Sequence, residues 1–169
     1  MTQPLLVVMG VSGVGKTTVG QLLARRLGVP FVEGDEYHPP ENVAKMRGGT
    51  PLTDADRAGW LRALAERIRE ARDAGTGIVV TCSALKHAYR DVLRAAASEL
   101  RFVHLRGPRG LIAERLEERS GHYMPPTLLD SQLATLEEPG SDEGAWVFDV
   151  DRPPEEIVDA IVATARTTA

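Results

Sequence analysis

The chain of 169 residues carries one cysteine, Cys82, so no internal disulfide can form and a reducing compartment suits it. No apolar run approaches the roughly 20 residues that a membrane-spanning helix needs, so no membrane association is expected. Basic charge is not in excess. The 20 Lys and Arg against 24 Asp and Glu leave a net charge of −4, which disfavours a nucleic-acid partner but permits local basic clusters for a small anion. One cysteine and 4 scattered histidines provide no zinc-ligand spacing. The start MTQPLLVVMG lacks a basic leader and runs directly into a glycine-rich segment that cleavage would destroy, so a cytoplasmic location is expected. Internal repeats and long linkers are lacking too. A hydrophobic fraction of 43% with 26% charged residues is that of one globular domain over residues 1–169.

What the chain does have is GVSGVGKT, spanning Gly10, Val11, Ser12, Gly13, Val14, Gly15, Lys16 and Thr17, with Thr18 next. It matches G-x-x-x-x-G-K-S/T in full and stands between an apolar run and a segment of helical spacing, as that pattern requires. The glycines let successive N–H groups turn inward around the β- and γ-phosphates, and the following helix adds its unpaired donors. Lys16 supplies a point charge to the transferring phosphoryl group, and Thr17 is the expected Mg²⁺ ligand. ATP and Mg²⁺ are therefore the expected cofactors. Ser12 stands where a dinucleotide fingerprint needs glycine, which argues against that fold. The only asparagine is Asn42, so the guanine-reading element of a GTPase is missing.

Five apolar runs, at 5–9, 31–32, 78–80, 102–105 and 146–150, alternate with helical patterns at 18–27, 53–75, 84–100, 111–120, 128–136 and beyond Pro153. That alternation predicts an α/β protein, a three-layer α/β/α sandwich on a five-stranded parallel sheet of the P-loop NTPase type. Thr53 followed by Asp56 predicts a capping box. A substrate-binding helical segment is expected at about 38–75 and a mobile lid at about 115–139.

The strand ending IVVTCS lacks the terminal aspartate of an ATPase, so a second carboxylate near the metal must come from elsewhere. Asp35, just past the second strand, is the candidate, either to deprotonate or orient an acceptor hydroxyl or to hold a metal-bound water. An Asx-turn is its alternative role. Arg115 and Arg119 share one helix face and could close over phosphate from the lid, unless Glu114, Glu117 and Glu118 simply neutralise them. Arg47 and Lys86 are further cations for an anionic ligand. His38 and His122 could bond a hydroxyl-rich one. Trp60 and Trp146 read as core.

The segments FVEGDEYHPPENVAKMRGGTPLTDADRAGWL, VVTCSALKHAYRDVLR and RLEERSGHYMPPTLLDSQLATLEEP, together with the phosphate loop, resemble the gluconate kinase family over essentially the whole chain. That family is related to shikimate and nucleoside monophosphate kinases. The resemblance implies ATP-dependent phosphorylation of D-gluconate to 6-phospho-D-gluconate by a homodimer. It implies Asp35 as acceptor contact and favoured base, His38 as a gluconate contact, and Lys86, Arg115, Arg119 and His122 in the family's lysine, lid-arginine and histidine positions. Arg47 rests on location. Rival readings are a kinase for shikimate or a nucleotide, and an ATP-binding regulatory module without catalysis.

Overall fold

The computed structural model describes residues 3–118 and 126–168. Strand β1 (Leu5–Met9) is buried along its whole length, as a run of LLVVM must be when both faces of a parallel sheet are covered. It is followed by α1 (Lys16–Leu27), β2 (Phe31–Glu33), a 3₁₀ turn (Gly34–Tyr37), α2 (Pro40–Arg47) and α3 (Asp54–Ala74). Then come β3 (Ile78–Thr81), α4 (His87–Arg94), β4 (Arg101–Arg106), α5 (Arg109–Glu118), α6 (Pro126–Thr135), β5 (Trp146–Asp149) and α7 (Pro154–Thr168). The five strands are all parallel, in the order β2-β3-β1-β4-β5.

Alternation along the strands divides the core in two. Leu5, Val7, Met9, Ile78, Val80 and Phe102 face α3 and α4, where Trp60, Leu64, Ile68 and Leu93 meet them. Leu6, Val8, Val79, Val103 and Leu105 face α1 and α7, with Leu23, Ile157 and Ile161. Helices on both faces make the expected three-layer sandwich. Among the described residues no helix is long and apolar enough to cross a membrane.

Local signals place most boundaries. The Thr53 side chain accepts from the Asp56 N–H and the Asp56 carboxylate accepts from the Thr53 N–H, so the capping box opens α3 as expected. Gly28 and Gly75 end α1 and α3 in the left-handed conformation. One expectation is corrected. The helix anticipated over 84–100 is only His87–Arg94, because Ala84 has φ of 47°, which no right-handed helix accommodates. Beyond Arg94 the chain tightens into turns, with the Ala96 N–H on Leu93 O.

Leu64 is completely buried between α3 and the sheet. Leu64→Ala should therefore lower unfolding free energy by about 2–5 kcal/mol through lost burial and the cavity left behind, read as a shifted urea midpoint with unchanged slope.

Candidate active site

The phosphate loop turns between β1 and α1 at the carboxyl end of the sheet. Gly13 takes φ of +90°, and a Cβ there would stand 2.9 Å from the side chains of Ile112 and Leu116 on α5. Glycine is thus required both by the turn and by the packing of α5 on the loop. The Lys16 ammonium folds back onto the loop, donating to Gly10 O at 3.0 Å and Val11 O at 3.1 Å.

The carboxylate beside Thr17 is Glu33, at the end of β2. Thr17 Oγ1 donates to Glu33 Oε2 at 2.5 Å, and Thr81 Oγ1 donates to Glu33 Oε1 at 2.5 Å. Register explains this, since Glu33 pairs with Thr81 and Thr81 with Val8 across neighbouring parallel strands. Asp35, the carboxylate to which the sequence pattern points, lies in the 3₁₀ turn and lines a cavity of about 320 Å³ in front of the loop.

That cavity lies near the small end of the range for ligand pockets, about 300–1,000 Å³. Lys16 and Ser12 reach it from the loop, Asp35 and His38 from the turn, Arg57 and Trp60 from α3, Lys86 from the start of α4, and Ser131 and Gln132 from α6. His38 stacks on Trp60 with ring centroids 4.0 Å apart, and its Nδ1 meets the Asn42 amide at 3.1 Å. Asn42 is itself buried and donates to Asp56 O at 2.8 Å, which ties the turn to α3. Trp60 in turn donates its indole N–H to Gly34 O at 2.8 Å.

The opposite wall is cationic but counterbalanced. Arg57 donates to Leu52 O at 2.7 Å and to Tyr89 Oη at 3.0 Å. The Tyr89 hydroxyl donates to Asp54, which Lys86 also contacts at 3.1 Å. The Tyr89 and Lys86 hydrogen bonds hold the Asp54 carboxyl below its usual range. Burial lowers the pKa of His38, opposed by the nearby negative charge of Asp35 and reinforced by Arg57, so the imidazole is neutral at pH 7.

Beneath the wall, the fully buried Arg90 guanidinium donates to Ala84 O at 2.8 Å and Glu137 O at 2.8 Å and pairs with Glu143 at 2.6 Å. Burial alone would raise the Glu143 carboxyl, but hydrogen bonds from Arg90 and Arg94 outweigh it and hold it at about 2. This clamp sets the strained Ala84 backbone from which Ser83, Leu85 and Lys86 enter the cavity. Cys82 is buried beside it, and desolvation pushes its thiol up to about 12, so it is inert.

Of the residues expected from sequence, Lys16, Asp35, His38 and Lys86 share one cavity. Arg47 is exposed at the end of α2 and is not in the cavity lining, whereas its neighbour Met46 is. Arg115 turns away to Val150 O, beyond the end of β5. Arg119 and His122 lie outside the described residues. Sequence reasoning missed Glu33, Arg57, Asp54 and Gln132. Arg57 had one legible signal: it stands three residues before the buried Trp60 and so shares its helix face.

A strand, phosphate loop and helix in a parallel α/β/α sandwich, with a cavity in front of the loop, define a P-loop protein of the nucleoside monophosphate kinase type. A gluconokinase of Gluconobacter oxydans (strain 621H) is 52% identical over 157 residues, covering 93% of this chain and 88% of that protein. The crystal structure of a gluconokinase from Sinorhizobium meliloti 1021 superposes with a TM-score of 0.88 at 48% identity, covering 98% of this chain and 94% of the other. An unliganded sugar kinase from Janibacter sp. HTCC2649 gives 0.91 at 48% identity, covering 95% and 93%. The chain belongs to the gluconokinase family of small P-loop kinases, within the broader family described as AAA domain, whose model matches residues 5–139.

Because Asp35 opposes the burial that lowers the His38 pKa, Asp35→Asn should move that pKa further down. Histidine ring resonances followed by NMR against pH test this; an upward or absent shift would refute the electrostatic contact.

Proposed function

We infer that the chain transfers the γ-phosphoryl group of ATP to gluconate, forming 6-phosphogluconate and ADP. The observation that carries the reading is that Lys16 of the phosphate loop and Asp35 line the same cavity as Arg57, Lys86 and His38. A triphosphate held by the loop presents its terminal phosphorus to this space, and a polyol bearing one carboxylate suits its lining.

Arg57 and Lys86 form the cationic wall for the substrate carboxylate, with Arg57 able to make planar, charge-assisted bonds. The neutral His38 and the Asp35 carboxylate face the hydroxyls. In the transfer, the terminal hydroxyl oxygen forms the new bond to phosphorus as the bond to the β-phosphate oxygen breaks. Asp35 accepts the hydroxyl proton or orients it, and Lys16, the loop N–H groups and the lid arginines Arg115 and Arg119 stabilise charge on the moving phosphoryl. The lid is the segment at about 115–139, and the acceptor-binding helices are those at about 38–75, with His122 completing the acceptor contacts and Arg47 at the rim of α2, outside the cavity lining.

The oxygen set at Thr17 suits Mg²⁺. Its hydroxyl is held by the Glu33 carboxylate, and among the described residues there is no group of three His, Cys, Asp or Glu to form an all-protein cage. A magnesium ion there would rely on Thr17, on the Glu33 or Asp35 carboxylate, on water and on the phosphates themselves. When bound, Mg²⁺ neutralises charge between the β- and γ-phosphates. The reading also carries a homodimer in the cytoplasm, the assembly implied by the resemblance; sedimentation of the purified chain tests the dimer.

A coupled ADP-release assay with ATP and gluconate, shikimate, adenylate or cytidylate should give turnover with gluconate alone. Activity confined to another acceptor would replace this reading, and nucleotide binding without turnover on any would favour a regulatory module. Asp35→Asn should lower kcat about 10²–10⁴-fold with affinity for an ATP analogue nearly intact. Retention of kcat within about tenfold would remove the general base. Arg57→Met should raise the gluconate KM about 10–100-fold while the ATP KM holds.

A further inference from the structure

Tyr89 is a buried residue of α4 whose ring belongs to the core with Trp60, Leu61 and Leu93, behind the cavity lining rather than in it. Its hydroxyl nevertheless meets two residues that do line the cavity. Oη accepts from Arg57 Nη1 at 3.0 Å and donates to Asp54 Oδ1. Lys86 Nζ reaches that same Asp54 oxygen at 3.1 Å. Both cations also lie over the ring, with Arg57 Cζ 5.4 Å and Lys86 Nζ 5.6 Å from its centroid. Burial and the hydrogen bond to Asp54 push the Tyr89 pKa up, so the hydroxyl keeps its proton and remains a donor.

The way Arg57 is held decides what it can still bind. Its hydrogen bonds to Tyr89 Oη and to Leu52 O, the latter at 2.7 Å, both use Nη1. Among the described residues neither Nε nor Nη2 has a hydrogen-bond partner. Those two nitrogens form the side edge of the guanidinium, whose parallel N–H groups match the two oxygens of one carboxylate. Asp54 precedes Arg57 by three residues on α3, a spacing that favours a direct ion pair. The Tyr89 hydroxyl bridges the two instead, and among the described residues Asp54 forms its ion pair with Lys86.

We propose that Tyr89 is a positioning residue for the acceptor carboxylate and acts through Arg57. Its hydroxyl, anchored by a ring in the core, ties Arg57 by one nitrogen and Asp54 by one oxygen. The Nε–Nη2 edge of Arg57 is thereby kept for a single carboxylate, and Lys86 is kept beside it. Two like charges on one wall repel each other, and the ring face together with Asp54 offsets that repulsion. The proposal rests on the reading of the cavity as the gluconate site.

Steady-state kinetics on the intact chain, with ATP, Mg²⁺ and gluconate, test this. Tyr89→Phe keeps the ring in the core and removes only the hydroxyl. It should raise the gluconate KM about three- to tenfold, the worth of one hydrogen bond, while kcat and the ATP KM stay within about twofold. A double-mutant cycle separates this role from a merely structural one. If the hydroxyl acts through Arg57, Tyr89→Phe made in the Arg57→Met background should change kcat/KM for gluconate by less than about twofold. If it only supports the packing of α3 on α4, the two losses multiply. An unchanged gluconate KM in Tyr89→Phe, a fall in kcat with KM unchanged, or the full loss repeated in the Arg57→Met background would each overturn the proposal. Wild-type turnover of gluconate together with a normal Tyr89→Phe variant removes this role alone. A wild-type chain that turned over no gluconate would remove the gluconate reading, and this role with it.

Discussion

Much of the site hangs on one carboxylate, that of Glu33, held between the hydroxyls of Thr17 and Thr81 at 2.5 Å each. Thr81 also accepts from the Gly34 N–H at 3.1 Å, and Gly34 O takes the indole N–H of Trp60, on which His38 stacks. Hydrogen bonds and one ring stack thus join the residue expected to hold the metal to a residue lining the cavity. Its spacing leaves no slack at Gly34, where a Cβ would stand 1.9 Å from Thr81 O. Partly buried hydrogen bonds of this kind restrict geometry more than they add stability, because each polar group taken from water must keep its partner. The phosphate loop and the cavity wall are consequently held in one register by the ends of β2 and β3.

The cavity beside this junction is charged on both sides. Asp54 balances Lys86, and Tyr89 links Asp54 to Arg57, so neither cation faces the cavity without a compensating group. Asp54 is largely exposed and readily rehydrated, so its hold on Lys86 is one that another anion can displace. The buried Arg90–Glu143 pair works differently. Its charges are removed from water at a cost, and the hydrogen bonds to Ala84 O and Glu137 O offset it while locking a left-handed turn. Gln132 adds the third tie, between α6 and the loop.

Much of the fold was legible because its signals are local. A five-residue apolar run, a glycine loop and a helix with Gly28 at its end can be read without knowing what packs on them. The exception shows the limit. Ala84 is a good helix former and nothing beside it in the chain breaks a helix; what turns it is the Arg90 guanidinium and a loop anchored to Glu137. Asp35 and Lys86 were legible as candidates from their places at strand ends. Glu33 was passed over because it ends a strand like any polar residue, and its partner Thr81 lies 48 positions away.

The chain by itself determined the strand–loop–helix that grips a triphosphate, since GVSGVGKT dictates backbone geometry within eight residues. It also determined the alternating pattern that makes a parallel sheet. Only the tertiary structure decided the strand order β2-β3-β1-β4-β5, and with it which carboxylate meets Thr17 and which cations line the cavity. The reason is physical: backbone turns are governed by neighbouring residues, whereas the partners of a side chain at a strand end are set by elements that the chain reaches only after crossing the sheet.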